Sequence, residues 1–525
     1  MDYSSPSHLL QIFGALVFML LCTLWWSKKY NPGKTERLNL VPEAPGGLPI
    51  IGHLHRLAGT KNLSESLSSM ADKYGPIFSI RMGVHPTVVV SSYELLKELF
   101  TTCDRSFASR PSTSQGKYLG YNSSVFAFAP YGKYWRELRK LAVMELLSIN
   151  RLKSLRHYQV SEVNHLINDM FMLSKRNEHR PVKIVLSQWL QELTFNIITL
   201  KISRQRFFER NVDGNVSNQG NHDKHVGKTI REFMEVFGRA VPGDHIPFLG
   251  WFDFGGAIKR MKQISEKLDA IVEKWIEEHK SKSSDLEKDI IDVMLSTIED
   301  DTTYGHKKDT IIKATILTFI LAGSDTSSIS LTWIFSNLLN NKHVLECAQE
   351  ELDRKIGRDR LVNEIEAENL LYIQAVIKET LRLYPPGPLG LPHESIEDCY
   401  LGGHFIPKGT RLFTNIWKVQ TDPNFWSNPK EFIPERFMTT KADVDVYGQH
   451  FELLPFGSGR RSCPGINLAI QEMSLALARL LQAFNFHKSS DELIDMTAGL
   501  RFSLFKEKPL EVLVTPRLSP ELYQY

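Results

Sequence analysis

The sequence predicts a mainly helical protein with small β-sheets, built as one large domain behind an N-terminal transmembrane anchor helix. Most segments of the 525 residues show the apolar period of a helix and are separated by breaks that contain glycine or proline. The segment PIFSIRMGVHPTVVVS predicts two short strands around a turn at residues 83–86. No linker-like stretch interrupts the chain after residue 50, so we expect a single domain from there onward.

The apolar segment Leu9–Trp26 predicts the anchor. As a helix it would be about 27 Å long, close to the ~30 Å hydrocarbon core of a bilayer. Only Asp2 is charged before it, whereas lysines and an arginine follow from Lys28 onward, which places the N-terminus in the lumen and the main domain in the cytosol. A cleaved signal peptide is the alternative, but no basic residue precedes the segment and no small-residue cleavage site follows it. We therefore expect a lumenal tip and anchor at 1–27, a basic linker rich in proline and glycine at 28–49, and the main domain at 50–525, on the endoplasmic reticulum membrane.

Composition narrows the function classes. A net charge of +3 without a block of like charges argues against a nucleic-acid partner. The five cysteines are few and far apart, and no CxxC occurs, which argues against a disulfide framework and a cysteine-based zinc site. The polar run 210–224 predicts a surface loop. The apolar run 241–256 predicts a second loop, which would contact an interface or the membrane.

The stretch PFGSGRRSCPGINLA places one cysteine, Cys463, between a loop rich in glycine and arginine and a predicted helix. Pro464 suits the first turn of that helix, and Gly465 permits the close approach of a bulky group. The helix N-terminus and the adjacent Arg460 and Arg461 would favour a thiolate. A thiolate held in this way can be a nucleophile, a redox centre or a metal ligand. The alternative is a buried structural cysteine, against which the surrounding glycines and arginines argue.

Other motifs place polar residues inside apolar segments. Residues 311–339 predict a long apolar helix whose centre is AGSDT, where small residues would let a flat ligand approach the backbone and Thr326 could distort the helix. Exposed polarity is the alternative, but the apolar flanks indicate burial. The segment KETLRLYPP brings Glu379 and Arg382 onto one helix face, FIPERF contains Arg436, and YGKYWRELRK contains a tryptophan and an arginine one turn apart.

Together these motifs resemble the cytochrome P-450 family of haem-thiolate monooxygenases, in its plant microsomal form. The family's motifs Phe-x-x-Gly-x-Arg-x-Cys-x-Gly, Ala/Gly-Gly-x-Asp/Glu-Thr, Glu-x-x-Arg, PERF and Trp-x-x-x-Arg are all present in the family's order. The segments LPHESIEDCYLGG and ADVDVYGQHFELLPFGSGRRSCPG further resemble plant P-450 family eighty-two. The resemblance covers the whole chain and implies the P-450 fold, with 50–525 as the haem-thiolate catalytic domain.

The resemblance also implies a role for each matching residue. Cys463 would be the axial iron ligand of haem b, with Phe456 packed beside it, and the haem carboxylates would be bound by Trp135, Arg139, His393 and Arg461. Asp325 and Thr326 would deliver protons during oxygen activation. A structural ion network would consist of Glu379, Arg382 and Arg436. The substrate contacts implied by the resemblance, for which ordinary core packing is an equal alternative, are Phe126, Phe128, Phe319, Ala322, Leu389, Leu391, Leu500 and Phe502.

The implied reaction inserts one atom of O2 into a small hydrophobic plant metabolite, a polycyclic terpenoid or alkaloid, with hydroxylation of a flavonoid or other phenolic as the alternative. The chain lacks a dinucleotide fingerprint, since GSGRRS ends in serine, so NADPH would act only through a membrane NADPH–cytochrome P-450 reductase. Cytochrome b5 and membrane lipid are further expected partners. The basic face for the reductase would comprise Lys133, Arg136, Lys140 and Arg460, although a solvated helix face explains these charges nearly as well.

Two alternatives belong to different functional classes. A haem protein that binds ligands without oxygenating them is opposed by the intact Asp325 and Thr326. A hydrolase with Cys463 as nucleophile would need a histidine base, such as the distant His404 or His450, and it leaves the anchor and the AGSDT segment unexplained.

Overall fold

A computed structural model describes residues 39–57, 62–178, 180–210, 221–237, 241–281, 288–299, 305–499 and 503–524, together with Gly14 and Val17. The predicted combination of many helices and small sheets is confirmed. The helices are α1 (Leu54–Leu57), α2 (Leu63–Tyr74), α3 (Tyr93–Thr101), α4 (Ser114–Tyr118), α5 (Lys133–Leu141), α6 (Ile149–Ser154), α7 (Arg156–Arg176), α8 (Leu186–Ser203), α9 (Asn221–Phe237), α10 (Ala257–Ser281), α11 (Ile290–Thr297), α12 (Lys308–Asn340), α13 (Lys342–Lys355), α14 (Glu364–Glu368), α15 (Leu371–Leu383), α16 (Ile416–Gln420) and α17 (Ile466–Ala483).

The strands are β1 (Ile77–Met82), β2 (His85–Val90), β3 (Val182–Val185), β4 (His393–Glu394), β5 (Cys399–Leu401), β6 (His404–Ile406), β7 (Arg411–Thr414), β8 (Phe484–Lys488) and β9 (Glu511–Pro516). They form sheets in the orders β1-β2-β7-β4, β3-β9-β8 and β5-β6. The predicted hairpin is the antiparallel pair β1 and β2, with Gly83 at φ 65° in its turn. Strand β7 joins β2 in parallel register, which brings the segment after α15 beside the N-terminal hairpin.

Helix α12 runs through the core and packs against α8, α15 and α17. Most of its side chains are buried, because apolar residues occur on all its faces. Among the described residues, α12 is the one helix that is long and apolar enough to cross a membrane. However, 67% of its most apolar stretch is buried inside the domain. This degree of burial is typical of a helix in the core of a protein.

The segments predicted to be loops or an anchor agree only in part with the structure. The polar run 210–224 is not entirely a loop, since α9 begins at Asn221, and residues 211–220 lie outside the described part. The apolar run 241–256 contains short 3-10 turns at Pro242–Asp244, Pro247–Trp251 and Phe254–Gly256. The anchor lies outside the described residues except for Gly14 and Val17, which are both helical.

The end of the predicted linker packs onto the domain. The N–H of Ala44 donates to the carbonyl of Ser79 in β1, and the N–H of Ser79 donates to the carbonyl of Pro42. Ala44 is buried against the same sheet. Residues 42–44 are therefore fixed to the main domain.

Candidate active site

A buried ion network joins α15 to residues 420–436, upstream of the loop 455–463 that carries Cys463 (the cysteine loop). The Glu379 carboxylate accepts hydrogen bonds from Arg382 at 2.7 and 2.8 Å and from Arg436 at 3.1 Å. Glu379 and Arg382 are fully buried. Arg382 also donates to three backbone carbonyls within residues 420–431. The three network residues therefore meet, and they tie α15 to the segment that leads to Cys463.

Cys463 lies between the 3-10 turn Gly459–Arg461 and the start of α17. Its N–H donates to the carbonyl of Phe456 at 2.9 Å, and the N–H of Gly465 donates to its Sγ at 3.3 Å. Burial raises the pKa of the Cys463 thiol, while the Gly465 N–H and the Arg139 guanidinium lower it. Burial outweighs both, so a stable thiolate here requires a further positive charge, which a metal ion would supply.

The expectation that Arg460 and Arg461 favour the thiolate is wrong. Arg460 forms an ion pair with Asp104 at 3.3 Å, and Arg461 donates to backbone carbonyls of the loop between α3 and α5. The cation that acts on the thiol is Arg139 of α5, which donates to the carbonyl and Oγ of Ser462. Arg139 therefore holds the cysteine loop, and its binding to a haem carboxylate stays a prediction.

The centre of α12 borders an accessible space, as the exposure of its side chains indicates. Ala322 is exposed and Asp325 and Thr326 are half-buried, although the flanking turns of the helix are buried. The hydroxyl of Thr326 donates to the carbonyl of Ala322 at 2.6 Å. As expected for a threonine within a helix, the side chain thus competes for a backbone acceptor.

Only part of the AGSDT segment lines that space. A Cβ on Gly323 would lie 2.9 Å from Cδ1 of Ile198, so this glycine permits α8 to pack against α12. Ser324 is buried, and its carbonyl accepts a hydrogen bond from Thr194 of α8 at 2.9 Å. The expectation that all these small residues serve a ligand is therefore wrong for Gly323 and Ser324.

A cluster of buried cationic and N–H groups lies between α5, the cysteine loop and β4. The guanidinium of Arg461 lies 4.1 Å from the centre of the Trp135 ring, and Nε1 of Trp135 and Nε of Arg110 are buried without an acceptor. Burial lowers the pKa of Arg110 to about 9, and burial together with Arg110 and Arg139 lowers the pKa of Arg461 to about 8. His393 is buried beside Arg110 and Arg461, and its pKa is lowered by burial and by their charges.

No carboxylate in the described part of the chain forms an ion pair with Arg110 or Arg461. Buried positive charges without a counter-ion are costly, so this cluster favours an anionic ligand. A haem with two carboxylates fits this donor set: Trp135, Arg110 and Arg461 would bind the carboxylates, and the Cys463 sulfur would bind the iron.

Arg110 was not among the residues that the sequence predicted for the site. Its Nη1 donates to the carbonyls of Leu391 and Pro392 at 2.8 and 2.9 Å, far away in the chain. No local periodicity connects the FASRP segment to these partners. The only sequence signal is an arginine placed among small and apolar residues.

The predicted substrate contacts fall into four groups. Phe126 stacks on Trp135 with ring centroids 5.6 Å apart, and Phe128 contacts Phe237 of α9 at 5.2 Å. Ala322 and Leu391 keep accessible surface. In contrast, Phe319 and Leu389 are 8% and 5% exposed and pack in the core, while Leu500 and Phe502 lie outside the described residues. The substrate role of each of these residues stays a prediction.

Comparisons with known proteins agree with this arrangement. The family model for cytochrome P450 matches residues 42–514. The chain belongs to the cytochrome P450 family. A solved zebra fish cytochrome P450 with progesterone is 27% identical and superimposes with a TM-score of 0.72, covering 87% of this chain and 100% of its own.

Plant relatives of this P450 are more similar in sequence. Cytochrome P450 CYP82J17 from Trigonella foenum-graecum is 47% identical over 97% of this chain and 98% of its own. Strychnine-10-hydroxylase from Strychnos nux-vomica is 45% identical over 97% of each chain. Flavonoid-6-hydroxylase from Ocimum basilicum is 43% identical over 100% of this chain and 99% of its own. The resemblance to plant family eighty-two is confirmed.

The protein is thus a haem-thiolate monooxygenase whose haem has an axial cysteine thiolate and whose electrons come from a reductase. The hydrolase alternative fails at the site as well. Among the described groups, those that act on the Cys463 thiol are the Gly465 N–H and Arg139, with no histidine base. His404 lies on β6, where its Nδ1 contacts the carbonyl of Leu40.

Proposed function

We propose that this P450 oxidises a polycyclic hydrophobic plant metabolite, a terpenoid or an alkaloid, with electrons from NADPH through a membrane-bound reductase. The observation that carries the proposal is the exposed Ala322 in the centre of a buried helix, because it indicates room for a ligand beside α12. Half-buried aromatic rings of Phe126 and Phe128 come from the loop before α5 and suit an apolar ligand. The relative named strychnine-10-hydroxylase supports an alkaloid.

Cys463, Trp135, Arg110 and Arg461 would hold the haem, which supplies oxygen activation when bound. The residues of α12 would then manage protons. Thr326 donates its own proton to Ala322, so its oxygen lone pairs remain available to a proton donor in the cavity. Asp325, one residue earlier, would relay protons from solvent to that position.

A flavonoid or other phenolic substrate is the second candidate. Two relatives named flavonoid-6-hydroxylase, from Ocimum basilicum and Mentha piperita, are 43% and 44% identical to this chain. Phe126, which stacks on Trp135, would suit a flat aromatic ring system equally well.

We propose that the enzyme is anchored in the endoplasmic reticulum membrane by one helix over Leu9–Trp26. The apolar turn Pro247–Trp251 supports a second membrane contact. Trp251 is 89% exposed, and Phe248 and Phe252 are exposed beside it. An exposed aromatic group of this kind suits the interfacial region of a bilayer, from which hydrophobic substrates would enter.

The reductase, and cytochrome b5 as a second donor, would dock on the side of the cysteine loop. Lys133, Arg136 and Lys140 are exposed on α5, next to the loop that Arg139 holds. Arg460 is also exposed, but Asp104 neutralises part of its charge. These positive charges would attract an acidic partner surface.

The experiment is a substrate test with the full chain in membranes that contain the reductase. Strychnine, a polycyclic triterpenoid and a flavone are incubated separately with NADPH, and products are identified by mass spectrometry, with Cys463→Ala as the inactive control. We expect strychnine or the triterpenoid to gain one oxygen atom. Conversion of the flavone alone would establish the second candidate, and no NADPH-dependent product from any probe would contradict both.

A further inference from the structure

Helix α8 supports the central turn of α12 from outside. Thr194, Ile198 and Lys201 are spaced so that they lie along one face of α8. The hydroxyl of Thr194 donates to the carbonyl of Ser324 at 2.9 Å, and Ile198 packs directly against Gly323. The two helices are therefore in direct contact at the turn that carries the proposed proton-delivery pair.

The same turn is connected on its C-terminal side to α17, the helix that follows Cys463. The hydroxyl of Ser327 donates to Oε2 of Glu472 at 3.2 Å, and Oε1 of Glu472 lies 3.5 Å from Nζ of Lys201. Lys201 and Glu472 are both buried. Burying an ion pair usually costs about as much as its attraction returns, so stability alone does not account for it. Its position between α8, α12 and α17 suggests that the ion pair fixes the arrangement of these three helices.

The turn also needs external support, because its own hydroxyls compete for helix carbonyls. Ser324 donates to Ile320, Thr326 donates to Ala322, and Ser328 donates to Asp325, at 2.6 to 2.9 Å. Such bonds weaken or bend the helical ladder. Contacts from α8 and α17 would therefore determine which arrangement the turn adopts.

We propose that Thr194 and Ser327, the latter through Glu472 and Lys201, are positioning residues that hold Asp325 and Thr326 in one arrangement toward the haem. The inference rests on the proposed proton delivery by Asp325 and Thr326. In the coupled reaction, substrate, O2, NADPH and one proton yield oxygenated substrate, water and NADP+. When protons arrive at the wrong place, the same O2, NADPH and proton yield hydrogen peroxide and NADP+, and the substrate is unchanged.

Thr194→Val and Ser327→Ala test the inference with little change in volume. Their matched controls are Thr199→Val on α8 and Ser336→Ala on α12. Both hydroxyls are buried and, among the described residues, bond only to carbonyls of their own helix. Thr194→Ser, which keeps the hydroxyl, should behave as wild type.

The first readout is the C–O stretching band of the reduced carbon monoxide complex of the full chain in membranes, which needs no substrate. We expect Thr194→Val and Ser327→Ala to shift or split this band, and the two control variants to leave it unchanged. The second readout is hydrogen peroxide released per NADPH oxidised, with a probe that the enzyme converts. Loss of one hydrogen bond of about 1 kcal/mol should raise this ratio by up to about fivefold.

The inference is wrong if Thr194→Val and Ser327→Ala match their controls in both readouts. Thr326→Val separates this failure from failure of the proton-delivery proposal. If Thr326→Val leaves peroxide release unchanged, proton delivery by Thr326 fails and the inference fails with it. If Thr326→Val raises peroxide release while Thr194→Val and Ser327→Ala change nothing, the positioning role alone is refuted.

Discussion

Glu379→Gln tests the buried ion network that joins α15 to residues 420–436. The substitution keeps the shape of the side chain but removes its charge, so that Arg382 and Arg436 lose the one carboxylate they share. Arg382 keeps its backbone acceptors, and Arg436 keeps the carbonyl of Ser427 at 2.8 Å, so both guanidinium groups remain partly satisfied. Removing one partner of a buried ion pair costs about 3–5 kcal/mol, a large share of the roughly 5–15 kcal/mol that stabilises a typical protein.

The assay is loss of the carbon monoxide difference band as denaturant concentration rises. The control is Glu366→Gln, which removes an exposed pair between Glu366 and Arg360 with N–O distances of 2.6 and 2.8 Å. Glutamine still supports the capping box at this position, so the control should cost less than about 1 kcal/mol. A free energy of unfolding reduced no more by Glu379→Gln than by Glu366→Gln would refute the reasoning.

Three further predictions concern the haem pocket, proton delivery and the apolar loop. Trp135→Phe keeps the buried ring but removes the N–H without an acceptor. It should speed haem transfer to an acceptor globin by roughly 5- to 30-fold, the equivalent of about 1–2 kcal/mol; an unchanged rate would argue against this donor. Thr326→Val should keep the carbon monoxide band but release more hydrogen peroxide per NADPH, and unchanged release would contradict its role. Burial and Arg411 hold the pKa of His245 at about 4, below its ordinary value of about 6.5. The unfolded loop therefore binds the proton more readily, and the stability of the loop should fall as pH falls from about 6.5 toward 4. Proteolysis of residues 241–256 should be faster at acidic pH, and this pH dependence should be smaller in His245→Asn than in the wild type. His85, whose pKa is also about 4, contributes the remaining pH dependence. An equal pH dependence in the variant and the wild type would contradict the role of His245.

Much of the fold could be predicted because its elements have local signals. The hairpin of β1 and β2 follows from two short strand-like runs around Gly83, and α12 follows from its length and apolar composition. The spacing of Glu379 and Arg382 predicts that they share a helix face, but it does not predict that their ion pair is buried. The family motifs added the meeting of this pair with Arg436, which spacing does not give.

The rest of the site depends on contacts between distant segments. Arg110 reaches carbonyls after residue 390, and no local pattern encodes that contact. Arg461 is adjacent to the cysteine loop in sequence, but the 3-10 turn directs it toward the Trp135 ring, and Arg139 from α5 acts on the thiol instead. Gly323 likewise serves helix packing, which becomes visible only when Ile198 of α8 is in place. Sequence proximity was a poor guide to electrostatic proximity at these positions.

The most direct test of the central claim is the carbon monoxide difference spectrum of reduced membranes that contain the full chain, wild type beside Cys463→Ser. The account predicts a strongly red-shifted Soret band in the wild type, because a thiolate ligand is present. The band should be lost in Cys463→Ser, whose side chain cannot supply that ligand. An unchanged red-shifted band in the variant, or no haem band from folded wild-type protein, would contradict the assignment of Cys463 as the axial haem ligand.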